Sequence, residues 1–113
     1  MNIRTTDIGS IGRYYTDKEL QNESWLQPEK LSAEKAVEKY KKDNVLFICW
    51  APMDFNDDFV KNFEGNKIII IGEKNNGCTY DGDDVLRFGF NLEKTIKIPQ
   101  WHGLNDIMRF YTK

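Results

Sequence analysis

Apolar residues gather in two unbroken runs, Val45-Leu-Phe-Ile-Cys-Trp50 and Ile68-Ile-Ile-Ile71, and recur between them at helical spacing. The first run is rich in β-branched and aromatic side chains and is bounded by Asn44 and Pro52. That pattern predicts a strand buried on both faces at the middle of a sheet, with Cys49 inside it. Phe55, Phe59, Val60 and Phe63 form one apolar stripe, which predicts a helix over 55–64. Asp54 is its expected N-cap and Gly65 its C′ glycine. Strand, helix and strand make a βαβ unit, hence a parallel pair with a right-handed crossover.

Upstream, Ala33, Ala36, Val37 and Tyr40 lie on one stripe of a helix expected over 33–42, with Ser32 as its cap. Thr16 and Glu19 fit a capping box before a short helix near 17–23. Residues 1–15 read as an irregular arm, and Gly9-Ser10-Ile11-Gly12 lacks the preceding strand that a phosphate loop needs. Downstream, a short helix is expected near 83–89, a strand over 92–98 and a closing strand over 107–112. The brief link between the last two predicts an antiparallel pair.

The 113 residues suit one domain, with an arm and helices over 1–43 and an α/β core over 44–113. Charged residues make up 30% and net charge is −2, with acids and bases interleaved, which argues against nucleic acid as a partner. No apolar run approaches the roughly 20 residues that cross a bilayer. The N-terminus lacks a signal-peptide core. Two cysteines suggest no disulfide framework, so the chain reads as intracellular and cytoplasmic with reduced thiols. Its richness in Lys, Asn and Ile suggests an AT-rich coding genome, such as that of a parasite, a symbiont or a large DNA virus.

Four segments occur in a telling order. They are Val45-Leu-Phe-Ile-Cys-Trp-Ala-Pro-Met53, Ile68-Ile-Ile-Ile-Gly-Glu73, Gly77-Cys-Thr79 and Ile98-Pro-Gln-Trp-His-Gly-Leu-Asn-Asp106. Over about residues 44–113 the set resembles the C-terminal half of Rossmann-like, S-adenosylmethionine-dependent methyltransferase-related proteins. In that group a strand ends in Trp-Pro-Pro or similar, another ends in Gly-Glu before Gly-Cys-Thr, and Pro-x-Trp-x-Gly-x-x-Asp precedes the last strand. The resemblance implies a small, truncated α/β sheet of about four strands, a parallel pair plus antiparallel closing strands, with helices packed on it. Such folds hold their cofactor in the first half, by a Gly-rich turn after the first strand. Residues 1–43 supply no such unit, and Trp50-Ala51-Pro52 stands in place of Trp-Pro-Pro.

Trp50, Pro52, Glu73, Cys78 and Thr79 are the candidate ligand-binding residues. All should lie beyond the C-terminal ends of the parallel strands, where α/β sheets receive ligands. Glu73 would accept hydrogen bonds and Trp50 would offer a stacking face; the plain alternative is that they cap the core and the next turn. No catalytic residue and no metal site is assigned. His102, Cys49 and Cys78 give at most three soft ligands, and a Cys78–His102 nucleophile pair would need the imidazole beside the sulfur. Asp54, Asp57 and Asp58 read as helix capping, and Asp81-Gly82-Asp83-Asp84 lacks calcium-loop spacing.

The leading expectation is a non-catalytic binding protein that needs no cofactor and meets a protein partner. The alternative is a small S-adenosylmethionine-dependent methyltransferase that completes its site with a partner chain. With the first half of the fold missing, strand 45–50 becomes an open apolar edge. Either the arm 1–15 covers it or two copies meet there, and the homodimer is the favoured outcome.

Overall fold

The structure, a computed structural model, describes residues 6–7, 29–74 and 77–113. The expectations for the Gly9–Gly12 segment, the helix near 17–23 and most of the arm fall outside these residues. The chain divides into two compact units, Met1–Tyr40 and Lys41–Lys113, close to the boundary expected inside one domain.

In the first unit β1 (Thr6–Asp7) pairs in parallel with β2 (Glu29–Lys30), and α1 (Ala33–Tyr40) follows. Ser32 caps α1: its carbonyl accepts the Ala36 N–H at 2.9 Å and its Oγ accepts the Lys35 N–H at 3.4 Å. The Lys39 ammonium and the Tyr40 hydroxyl both donate to the Glu29 carboxylate. The helix stops two residues before the expected end. In the second unit the Lys41 carbonyl instead accepts the Glu64 N–H at 2.8 Å, which commits the chain to the strand that follows.

The chain is a small α/β protein, and its second unit is built on a four-stranded mixed sheet. Its strands are β3 (Val45–Cys49), β4 (Lys67–Gly72), β5 (Asn91–Lys97) and β6 (Ile107–Thr112), in the order β3-β4-β6-β5. β3 and β4 are parallel, and β6 runs antiparallel to both β4 and β5. Register places Leu46, Ile48, Ile68, Ile70, Arg109 and Tyr111 on one face. Ile48, Ile68, Ile70 and Tyr111 are buried there, and Phe59, Val60, Phe63, Tyr80, Val85 and Phe90 complete the core.

The other face is largely apolar: Val45, Phe47 and Cys49 on β3, Ile69 and Ile71 on β4, Met108 and Phe110 on β6, and Ile96 on β5, with Lys67, Lys94 and Thr112 on it as well. On it Val45 is 42% and Phe47 55% exposed, whereas Ile69, Ile71, Met108 and Phe110 are half-buried. The expectation that 45–50 is buried on both faces is therefore corrected. Among the described residues β3 is an edge strand, only Ile48 in it is buried, and Cys49 is exposed.

The crossover between the parallel strands is also different in kind. In place of an α-helix over 55–64 there is a single 3-10 helix, Asp58–Asn62. Asn56 Oδ1 accepts the Asp58 N–H at 3.0 Å, and such local side-chain bonds compete with a regular helix start. Asp54 does not cap it, and the carboxylate of Asp57 turns inward to the Tyr80 hydroxyl and Arg87. The stripe itself holds, with Phe59, Val60 and Phe63 all buried. Gly65 is needed for close approach rather than for a left-handed cap: a Cβ there would stand 2.5 Å from the Asp43 carbonyl oxygen and 2.2 Å from the Phe63 ring. A second 3-10 helix, Asp83–Phe88, forms where a short helix was expected, between Gly82 (φ 86°) and Gly89 (φ 88°).

Candidate functional site

The C-terminal ends of β3 and β4 bring together all four segments that carry the resemblance. Trp50 closes β3 by donating its N–H to the Ile71 carbonyl at 2.9 Å, then turns with φ 52°, the one positive value among the described non-glycine residues. That conformation costs a non-glycine residue of order 1 kcal/mol or more and persists where surrounding contacts hold it. Its indole Nε1–H donates to Asp106 Oδ2 at 3.1 Å. Asp106 is buried, and its carbonyl accepts Gln100 Nε2–H at 2.9 Å, so the 98–106 connection is tied to the end of β3.

Pro52 and Thr79 form an antiparallel bridge, and the Tyr80 N–H donates to the Ala51 carbonyl at 2.9 Å. Thr79 Oγ1 accepts the Glu73 N–H at 2.8 Å. Gly72 makes that approach possible, since a Cβ there would lie 2.5 Å from Thr79 Oγ1. The Glu73 carboxylate, itself buried, accepts a backbone N–H on each oxygen: Oε2 that of Cys78 at 2.6 Å and Oε1 that of Asn105 at 3.1 Å. Gly77 makes room for it, because a Cβ there would sit 2.2 Å from Glu73 Cβ.

Of the candidate residues, then, Glu73 and Thr79 serve as buried junctions between loops, whereas Pro52, Cys78 and the Trp50 ring face solvent. Trp50 is 44% exposed, and Trp101 in the adjoining connection is 81% exposed. Two participants were not among the candidates: Asp106 and the backbone of Asn105. The signal for Asp106 was its place at the end of the Pro-x-Trp-x-Gly-x-x-Asp segment.

The electrostatics follow from these contacts. The Cys78 amide first, and the Asn105 amide second, hold the Glu73 carboxyl below its ordinary range. The bond to Glu73 pushes the Cys78 thiol up, and burial followed by the Asp106 charge does the same for Cys49. A nucleophilic cysteine needs the opposite shift. His102 is exposed in the 101–104 turn, and no hydrogen bond among the described residues joins it to Cys78. Among the described residues no group of three His, Cys, Asp or Glu side chains is placed to hold a metal, and no helix is long and apolar enough to cross a membrane.

Glu73 carries a pH prediction. A carboxyl whose folded pKa is depressed contributes stability that is complete above its unfolded value, near 4.5, and is lost as pH falls toward the folded value. Urea midpoints measured from neutral pH down through 4 should therefore fall for the wild type. The fall should be shallower for Glu73→Gln, which starts from a lower stability at neutral pH. Parallel curves for the two proteins would mean the amides do not depend on that charge.

No family model matches the chain, and neither does any curated protein or solved structure.

Proposed function

We propose that this protein acts by binding another protein surface, as a methyltransferase-like domain whose residues 1–43 form no recognisable cofactor-binding half and which carries out no catalysis. One observation carries the reading. At the end of the parallel pair the Glu73 carboxylate is held by the protein's own backbone amides, while large apolar side chains stay exposed. Glu73 has both carboxylate oxygens occupied by amides. Phe47, Trp50, Met53 and Trp101, by contrast, are 55%, 44%, 66% and 81% exposed. Exposed aromatic and methionine side chains with few free charges are the composition of a protein–protein contact.

The competing reading is a small S-adenosylmethionine-dependent methyltransferase completed by a partner chain. It draws on Trp50, whose partly exposed ring stands at the C-terminal end of a parallel strand, where such folds receive ligands. Titration calorimetry with S-adenosylmethionine and with S-adenosylhomocysteine separates the two. The binding reading predicts no saturable heat from either compound. Stoichiometric binding by the chain would overturn it.

A further inference from the structure

The sheet has two edges, and they are built differently. β5 exposes all seven of its residues, Glu93, Lys94 and Lys97 among them, and its pairing slips between Leu92 and Lys94. Charge along a strand and a bulge within it are two devices that stop an edge from pairing with another chain. β3 has neither. Its five residues are uncharged, and its register against β4 runs without a break.

The backbone of β3 adds a direction. Because the Trp50 N–H donates toward β4, strand alternation turns the backbone groups of Leu46 and Ile48 the same way and those of Val45, Phe47 and Cys49 outward. These three residues also place their side chains on the open apolar face. Backbone groups with no partner among the described residues and exposed apolar side chains thus coincide.

We propose that the occupant of this edge is the same edge of a second copy, with two β3 strands antiparallel about a two-fold axis at Phe47. The proposal rests on the binding reading above and names its partner. Under that symmetry Val45 faces Cys49, Leu46 faces Ile48 and Phe47 faces its own counterpart. Every pair is apolar, and the three outward residues contribute about six backbone hydrogen bonds. The same operation on β5 would set Lys94 against Lys94, a like-charge pair that opposes association. The exposed parts of Val45 and Phe47 add an area on the order of 150–200 Å² per copy, well short of the roughly 800 Å² of a stable interface. The dimer is accordingly a dissociating one, half-formed at a concentration on the order of micromolar or above.

Light scattering after gel filtration, over a hundredfold range of loading, reads the first consequence. The mean mass should climb from the chain mass toward twice that value. Phe47→Lys should hold it at the chain mass, with the circular dichroism spectrum of the wild type, since the side chain it replaces is half-exposed. Cross-linking reads the register. In a Cys78→Ser background treated with copper–phenanthroline, Val45→Cys should join to Cys49 of the second copy, two thiols giving up two electrons and two protons to the oxidant. Replacing Cys49 by Ser in that chain should abolish the product. Cys49 should not cross-link to its own counterpart, because the two lie about 13 Å apart along the strands. A chain mass at every loading overturns the second copy as occupant, whereas the non-catalytic reading falls only to the calorimetry. A Cys49–Cys49 product in place of the Val45→Cys product overturns the axis at Phe47.

Discussion

Phe59→Ala should destabilise the protein by about 3–5 kcal/mol, read as a large drop in the urea midpoint. Phe59 is 3% exposed and belongs to the 3-10 helix that joins the two parallel strands. Its ring meets Phe55 edge-on with centroids 5.4 Å apart, and Phe55 meets Tyr80 at the same separation. Removing the ring takes away its transfer free energy and opens a void in the core that a short 3-10 segment is poorly able to close. Phe55 loses an edge-to-face contact as well. A midpoint near that of the wild type would show that the crossover does not carry the core.

The second large effect belongs to Asp57. It is 4% exposed, with Tyr80 Oη–H donating to one carboxylate oxygen and Arg87 Nη2–H to the other. Burial first, and the bond to Asp57 second, push the Tyr80 hydroxyl well above its ordinary range, so at neutral pH it remains a donor. Asp57→Ala leaves that hydroxyl buried without an acceptor, at a cost of about 2–3 kcal/mol. Arg87 adds little to the loss, because it is half-exposed and keeps Asp58 at 3.0 Å. The sign of a double variant makes the argument sharp: Asp57→Ala with Tyr80→Phe removes both partners and should be more stable than Asp57→Ala alone. If the double variant is the less stable of the two, the stranded hydroxyl is not the source of the cost.

The sheet was legible from the sequence because its strands are marked twice, by apolar composition and by punctuation. Val45 to Cys49 and Ile68 to Ile71 declare themselves as strands, Gly72-Glu73 ends the second, and Pro99 divides the closing pair. The surroundings of those strands were harder to read. A run of six apolar residues reads alike whether its second face is covered or bare, so the exposure of Val45, Phe47 and Cys49 left no trace in the pattern. Helical spacing at Phe55, Phe59, Val60 and Phe63 placed the stripe, but the Asn56 side chain and the inward pull on Asp57 chose a 3-10 geometry that spacing does not encode. The site shows the same division. Its segments were visible, yet the work of Glu73 was not, because its partners are the amides of Cys78 and Asn105, and an amide has no signature in a sequence.

Amide hydrogen exchange along β3 tests most directly whether its bare edge is where this protein works. In dilute solution the amides of Leu46, Ile48 and Trp50, which point to β4, should exchange slowly, while those of Val45, Phe47 and Cys49 exchange fast. On concentration the second set should become protected and the first should change little. If Val45, Phe47 and Cys49 are slow at every concentration, the chain covers its own edge; if they stay fast throughout, nothing pairs there, and either result contradicts the account.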